Sequence, residues 1–186
     1  AISKAMILST GAAFSSNIQT LVQKTKFVVE MIGLPKLVDS TRDALCDIES
    51  GVWGVDNDDN IIDFGLTSAL AISSLKVDIT KGMRIIYTVG ALTDKLLKLV
   101  SDSKNIRNVT LVVKDFTKIF VSETAYRVFC NRGGKIMVLQ KSKLIAVCVN
   151  PTAPNGYVLD SDILCRKLEE ALKLPVYDIV KNNYDI

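Results

Sequence analysis

Two stretches of this chain share one hydropathy pattern, a short apolar run that breaks at a glycine and passes into an amphipathic segment. Arg84-Ile-Ile-Tyr-Thr-Val-Gly-Ala-Leu-Thr93 leads into Asp94–Val100, and Met6-Ile-Leu-Ser-Thr-Gly-Ala-Ala13 leads into a segment with Ile18, Leu21, Val22, Phe27, Val28, Val29 and Ile32 at mostly helical spacing. Each reads as a strand, a tight turn and a helix. The nearly continuous apolar run Ala5–Thr10 predicts a strand buried on both faces. Ser15 or Ser16 is expected to cap the first helix, with Gly33 and Pro35 ending it. Thr93 is expected to cap the second, with Asp94 complementing the helix dipole and Leu96, Leu97 and Val100 facing inward.

The remaining pattern fills in an α/β chain. Val52–Val55 and Ile61–Phe64 flank Asp56-Asn-Asp-Asp-Asn60 and predict a β-hairpin insertion over residues 50–66. Residues 38–50 signal little beyond a loop with a short helix. A buried helix is expected over 66–75 and a polar connection over 76–82. Val109–Val113 is a further strand, and Ser122 opens a helix that Gly133-Gly134 closes. Lys135–Leu139 and Leu144–Val149 are two strands whose short link, Lys141-Ser-Lys143, predicts an antiparallel hairpin. Asn150-Pro-Thr-Ala-Pro-Asn-Gly156 is the most turn-rich segment and predicts a shaped loop. Asp160 or Ser161 caps the last helix, and Pro175–Val180 is the final strand before a polar tail. The expected fold is α/β, a mostly parallel or mixed sheet flanked by helices, built from Rossmann-like βα units in one compact domain over residues 1–186. The chain starts at Ala1 almost on a strand, as a piece of a longer polypeptide would.

Composition narrows the function classes. The chain has 186 residues, 48% of them hydrophobic and 23% charged, which is globular composition. A net charge of +3 and 6% aromatic residues give no basic, aromatic-interleaved face for nucleic acid. No apolar run approaches the roughly 20 residues of a membrane helix, and no leader is evident. Histidine is absent, which excludes Ser-His-Asp triads, Cys-His pairs and histidine-ligated metals within this chain. Cys46, Cys130, Cys148 and Cys165 form no Cys-x-x-Cys pair, so they read as free thiols in a reducing cytoplasm. The acidic turn resembles the opening of a calcium loop at Asp56, Asp58 and Asn60. However, Ile61 stands where glycine is required and Thr67 where the closing glutamate belongs, leaving a solvated hairpin tip.

In open parallel sheets ligands collect at the carboxyl ends of the strands, beside helix amino termini. Four polar strand ends are candidates for one crevice. Thr10, Gly11 and Ala12 follow the first strand, with Ser15 as an added donor. Thr88, Gly90 and Ala91 follow another, with Thr93. Lys114 and Asp115 end a third, and Asn150 and Thr152 a fourth. Small residues at the two glycine turns let the backbone approach a phosphate or carboxylate. Tight packing alone also explains both turns, since neither contains G-x-G-x-x-G or G-x-x-x-x-G-K-[ST]. Lys114 and Asp115 read first as a surface ion pair, with charge stabiliser and base of a small-molecule enzyme as the competing reading.

The run Ile7-Leu-Ser-Thr-Gly-Ala-Ala-Phe-Ser-Ser16, with Gln19-Thr-Leu-Val-Gln-Lys-Thr25 following, resembles a segment of clostridial accessory proteins of the lysine 5,6-aminomutase reactivase type, chiefly over residues 1–35. The resemblance implies a non-catalytic binding module that helps release damaged cobalamin from a cobalamin-dependent aminomutase, beside an aminomutase or ATPase subunit. A nucleotide or other small anionic ligand would sit in the crevice. It carries over no catalytic residue and no metal.

Overall fold

The computed structural model describes residues 4–11, 17–37, 51–58, 60–63, 84–102 and 106–181. The expectations over 38–50, 66–75 and 76–82, and those for Ala12, Ser15, Ser16 and Cys46, lie outside the described residues. The fold is α/β: among the described residues a three-stranded parallel sheet, a five-stranded mixed sheet and a short two-stranded parallel pair are flanked by helices. Contacts divide the chain into two compact units, Ala1–Gly33 with Ser142–Ile186, and Leu34–Lys141. The first unit is discontinuous in sequence, and the second is inserted within it.

In the first unit β1 (Lys4–Gly11), β9 (Ser142–Asn150) and β10 (Val176–Asp178) form a parallel sheet in the order β1-β9-β10. Helices α1 (Ile18–Ile32) and α4 (Ser161–Leu172) supply Leu21, Val22, Leu164 and Leu168 to a core shared with Val147, Val149 and Val176 of the sheet. Leu8 of β1 packs against the same core, while its neighbour Ile7 is 56% exposed. This corrects the expectation that β1 is buried on both faces, because the described helices lie against one face and, among the described residues, β1 is an edge strand. The cap of α1 is Asn17, whose side chain accepts from the N–H of Thr20, in place of the expected serines. Asp160 caps α4, as expected. The last strand stops at Asp178, short of Val180, because the Asp178 carboxylate turns the chain by accepting from the N–H groups of Val180 (2.7 Å) and Lys181 (3.3 Å).

In the second unit β2 (Gly51–Val55), β3 (Ile61–Asp63), β4 (Arg84–Thr88), β6 (Val109–Val113) and β8 (Lys135–Val138) form a sheet in the order β3-β2-β4-β6-β8. The predicted hairpin is present as β2–β3, and β2 also pairs antiparallel with β4, so the hairpin extends the sheet. Its tip is closed by Asp56, which accepts from the N–H groups of Asp58 and Asn60 and from the Asn60 amide, each at 2.9 Å. Those bonds, the Asn60 side chain first, hold the Asp56 carboxyl below its ordinary value. Strands β4, β6 and β8 are parallel, as two right-handed crossovers through α2 (Asp94–Ser101) and α3 (Glu123–Asn131) would connect them. Thr93 and Ser122 cap these helices as expected, and Leu96, Leu97 and Val100 are buried. Gly134 is required by contact, since a Cβ there would lie 2.3 Å from the ring of Phe129, which is fully buried.

The antiparallel hairpin expected around Lys141–Lys143 does not form. Its first strand, β8, lies beside β6 in the second unit, and its second, β9, lies between β1 and β10 in the first. The outer edge of β8 is already occupied by the segment after α1. The N–H of Leu37 donates to the Val138 carbonyl (2.8 Å), and the N–H of Val138 donates to the Pro35 carbonyl (3.0 Å). The β9 backbone, for its part, is satisfied by two parallel partners.

Candidate functional site

The four strand ends fall two and two. Thr10 and Gly11 end β1, and the parallel register places them level with Val149 and Asn150 of β9. Thr88 ends β4 and pairs with Val112 of β6, two residues before Lys114. Each unit therefore has its own carboxyl edge with one glycine turn.

In the first unit that edge is built by the loop after β9. The Asn150 Oδ1 accepts from the N–H of Thr152 (2.9 Å), forming a side-chain turn. Thr152 bridges antiparallel to Val158, the N–H of Gly156 donates to the Ala153 carbonyl (2.9 Å), and the N–H of Leu159 donates to the Pro151 carbonyl (3.0 Å). Gly156 has φ of 82°, which closes the tip in the left-handed region. Pro151 and Ala153 are buried, whereas Thr152 is exposed. The predicted shaped loop is thus a small hydrogen-bonded hairpin, and Asn150 still has its amide N–H groups to offer beside Gly11. Helix α1, which follows β1, has no acidic residue in its first turn. By contrast α2, α3 and α4 carry Asp94, Glu123 and Asp162 there. A carboxylate in the first turn already complements the helix dipole and disfavours an anionic ligand.

Sequence reasoning missed Asp178 at this same edge. It is 5% exposed at the end of β10, and its Oδ2 accepts from the hydroxyl of Ser161, the first residue of α4, which is 7% exposed. Burial pushes the carboxyl up, but the bonds from Ser161, Val180 and Lys181 and the Lys181 charge outweigh it and hold it below 3.8. A carboxylate closing an otherwise apolar strand was the available signal. One turn along α4, burial pushes the Cys165 thiol up, and the charges of Asp178, Glu169 and Asp162 add to that. A raised thiol is poorly nucleophilic at neutral pH.

In the second unit the side-chain oxygens at the strand ends accept hydrogen bonds from the fold itself. Thr88 is 1% exposed, and its hydroxyl oxygen accepts from the N–H of Gly51 (3.0 Å) across the β2–β4 pair. The Thr93 hydroxyl accepts from the N–H of Leu96 (3.3 Å). Asp115 accepts from both the N–H (2.9 Å) and the hydroxyl of Thr117, capping a 3-10 turn over Phe116–Lys118. The loops after β4 and β6 are tied by a short parallel pair, β5 (Leu92–Thr93) with β7 (Ile119–Phe120). The Asp94 Oδ1 adds a bond from the N–H of Ser122 (2.7 Å). Gly90, Ala91 and Lys114 remain exposed at this edge.

Compared with family models, with characterised proteins and with solved structures, the chain finds no match. Among the described residues no helix is long and apolar enough to cross a membrane.

Proposed function

We propose that this chain is a non-catalytic binding module that holds a small anionic ligand, a nucleotide or another phosphorylated molecule, at the carboxyl edge of the β1-β9-β10 sheet. The observation that carries the reading is the β1–β9 register, which sets Gly11 level with Asn150. A backbone without a Cβ and an amide side chain then lie on neighbouring parallel strands, with the acid-free start of α1 next in the chain. Thr10 and Thr152 complete the contact set. Ser15 and Ala12, in the connection to α1, belong to the same proposal. The role follows the resemblance of residues 7–25 to reactivase-type accessory subunits, with an aminomutase or ATPase subunit as protein partner in a cytoplasmic setting.

The competing enzyme reading asks Asp115 to act as a base beside Lys114, and the Asp115 carboxylate is engaged by Thr117. The two readings separate in a thermal-shift titration with inorganic phosphate, ATP and a cobalamin. A ligand at about 100 times its Kd adds about 2.7 kcal/mol of stability. Asn150→Asp keeps an oxygen for the N–H of Thr152 but places a negative charge at the ligand, so the shift should vanish in this variant and persist in Lys114→Ala. The opposite pattern, or no shift with any probe, would overturn the reading.

A further inference from the structure

We infer that the outer edge of β1 pairs antiparallel with β1 of a second copy of this chain, joining two three-stranded sheets across a two-fold axis. The inference is independent of the ligand site. A sheet edge offers a row of unpaired N–H and C=O groups, and natural edges are kept short, charged or covered.

The other described edges follow that rule. The outer side of β8 is covered by Pro35–Leu37. Strand β10 has three residues, and the Glu169 carboxylate accepts from its Val176 N–H (3.2 Å). Strand β3 also has three residues. Strand β1 differs in length, charge and cover, its one irregularity being a one-residue register shift against β9 between Met6 and Ile7. It runs for eight residues, Lys-Ala-Met-Ile-Leu-Ser-Thr-Gly, contains no proline, and carries its single charge at the first position. Among the described residues it pairs with β9 alone. Ile7, near its middle, is 56% exposed on the sheet face opposite the α1 and α4 core, and Tyr177 of β10 is 42% exposed on the same face by register.

The strand's own sequence favours a second copy as the occupant. Antiparallel pairing centred on Ile7 sets Ile7 against its own counterpart, Met6 against Leu8 and Ala5 against Ser9, while Lys4 falls opposite Thr10. The central pairs, Ile7 with Ile7 and Met6 with Leu8, are apolar on both sides, and no like charges oppose. The contact is isologous, so it closes at a dimer and does not propagate.

Sedimentation velocity of the whole chain from about 1 to about 100 μM tests this, because dimer population depends on protomer concentration. The wild type should pass from monomer to dimer. Ile7→Lys, which opposes two like charges at the axis, should weaken the dimer at least about tenfold with an unchanged circular-dichroism spectrum. Hydrogen exchange in the unsubstituted protein supplies an independent reading, with amides of Met6 and Leu8 expected to gain protection as concentration rises. A wild type that stays monomeric throughout, a dimer that Ile7→Lys leaves intact, or β1 protection independent of concentration would each overturn the inference.

Discussion

The two carboxyl edges of this molecule start from similar sequence and end differently. Thr10-Gly11 ends the strand β1, and Val89-Gly90-Ala91 follows the strand β4; each lies before the next helix in the chain. At the β4 edge the side-chain oxygens accept bonds from the fold: Thr88 from Gly51, Thr93 as the cap of α2, Asp115 as the cap of a 3-10 turn, and β5–β7 ties the loops together. At the β1 edge a hairpin loop sets Asn150 beside Gly11, and the following helix begins without a carboxylate. A glycine turn after a parallel strand is therefore weak evidence of a ligand until the hydroxyls and carboxylates around it have been accounted for.

The comparison can be pressed first at the cores. Phe129→Ala in the second unit should cost about 3–5 kcal/mol, and Leu168→Ala in the first about 2–5 kcal/mol, both residues being fully buried. Urea unfolding followed by circular dichroism reads both, and a cost below about 1 kcal/mol in either would mean that its core is misassigned.

A smaller effect separates two carboxylates that look alike in sequence. Asp178→Ala strands the buried Ser161 hydroxyl and two part-buried N–H groups and should cost about 2–3 kcal/mol. Asp115→Ala removes a partly exposed cap and should cost about 1 kcal/mol. The pH dependence follows from the lowered Asp178 carboxyl. Its folded value lies below the unfolded value near 3.8, so its stabilisation is fully present above that pH and is lost as pH falls through the folded value. Urea midpoints between pH 6 and pH 2 should therefore fall more steeply in the wild type than in Asp178→Asn, and parallel curves would remove Asp178 from the account of the edge.

The smallest expected change is at the loop tip. Gly156→Ala meets no atom within 4 Å, so only the positive φ opposes it, at about 1 kcal/mol. Gly133→Ala carries the same penalty and also brings its Cβ to 2.7 Å from the Arg107 side chain. It should be the worse of the two in the same urea assay.

Much of the local structure was legible because it is encoded locally. The caps at Thr93, Ser122 and Asp160, the β2–β3 hairpin, the α2 face and the turn-rich loop all follow from residues within one turn of each other. What stayed hidden depends on distant partners. The link Lys141–Lys143 has the length of a hairpin, yet β8 finds Pro35–Leu37 and β9 finds β1, neither of which is adjacent in sequence. Ile7 reads as buried from its neighbours, while its exposure is set by which face α1 and α4 cover. The candidate crevice was legible as a set of strand ends. Their distribution over two sheets was not, because the insertion of Leu34–Lys141 leaves no mark of composition at its boundaries. Asp178 escaped notice because its partner, Ser161, lies on the preceding helix and could have been read simply as a cap.

Amide chemical shifts during titration with inorganic phosphate, and then with ATP, test the asymmetry of the two edges most directly. The largest changes are expected at Gly11, Asn150 and Thr152, with Gly90, Ala91 and Lys114 unmoved. Changes centred on Gly90 and Lys114, or none at either edge, would contradict it.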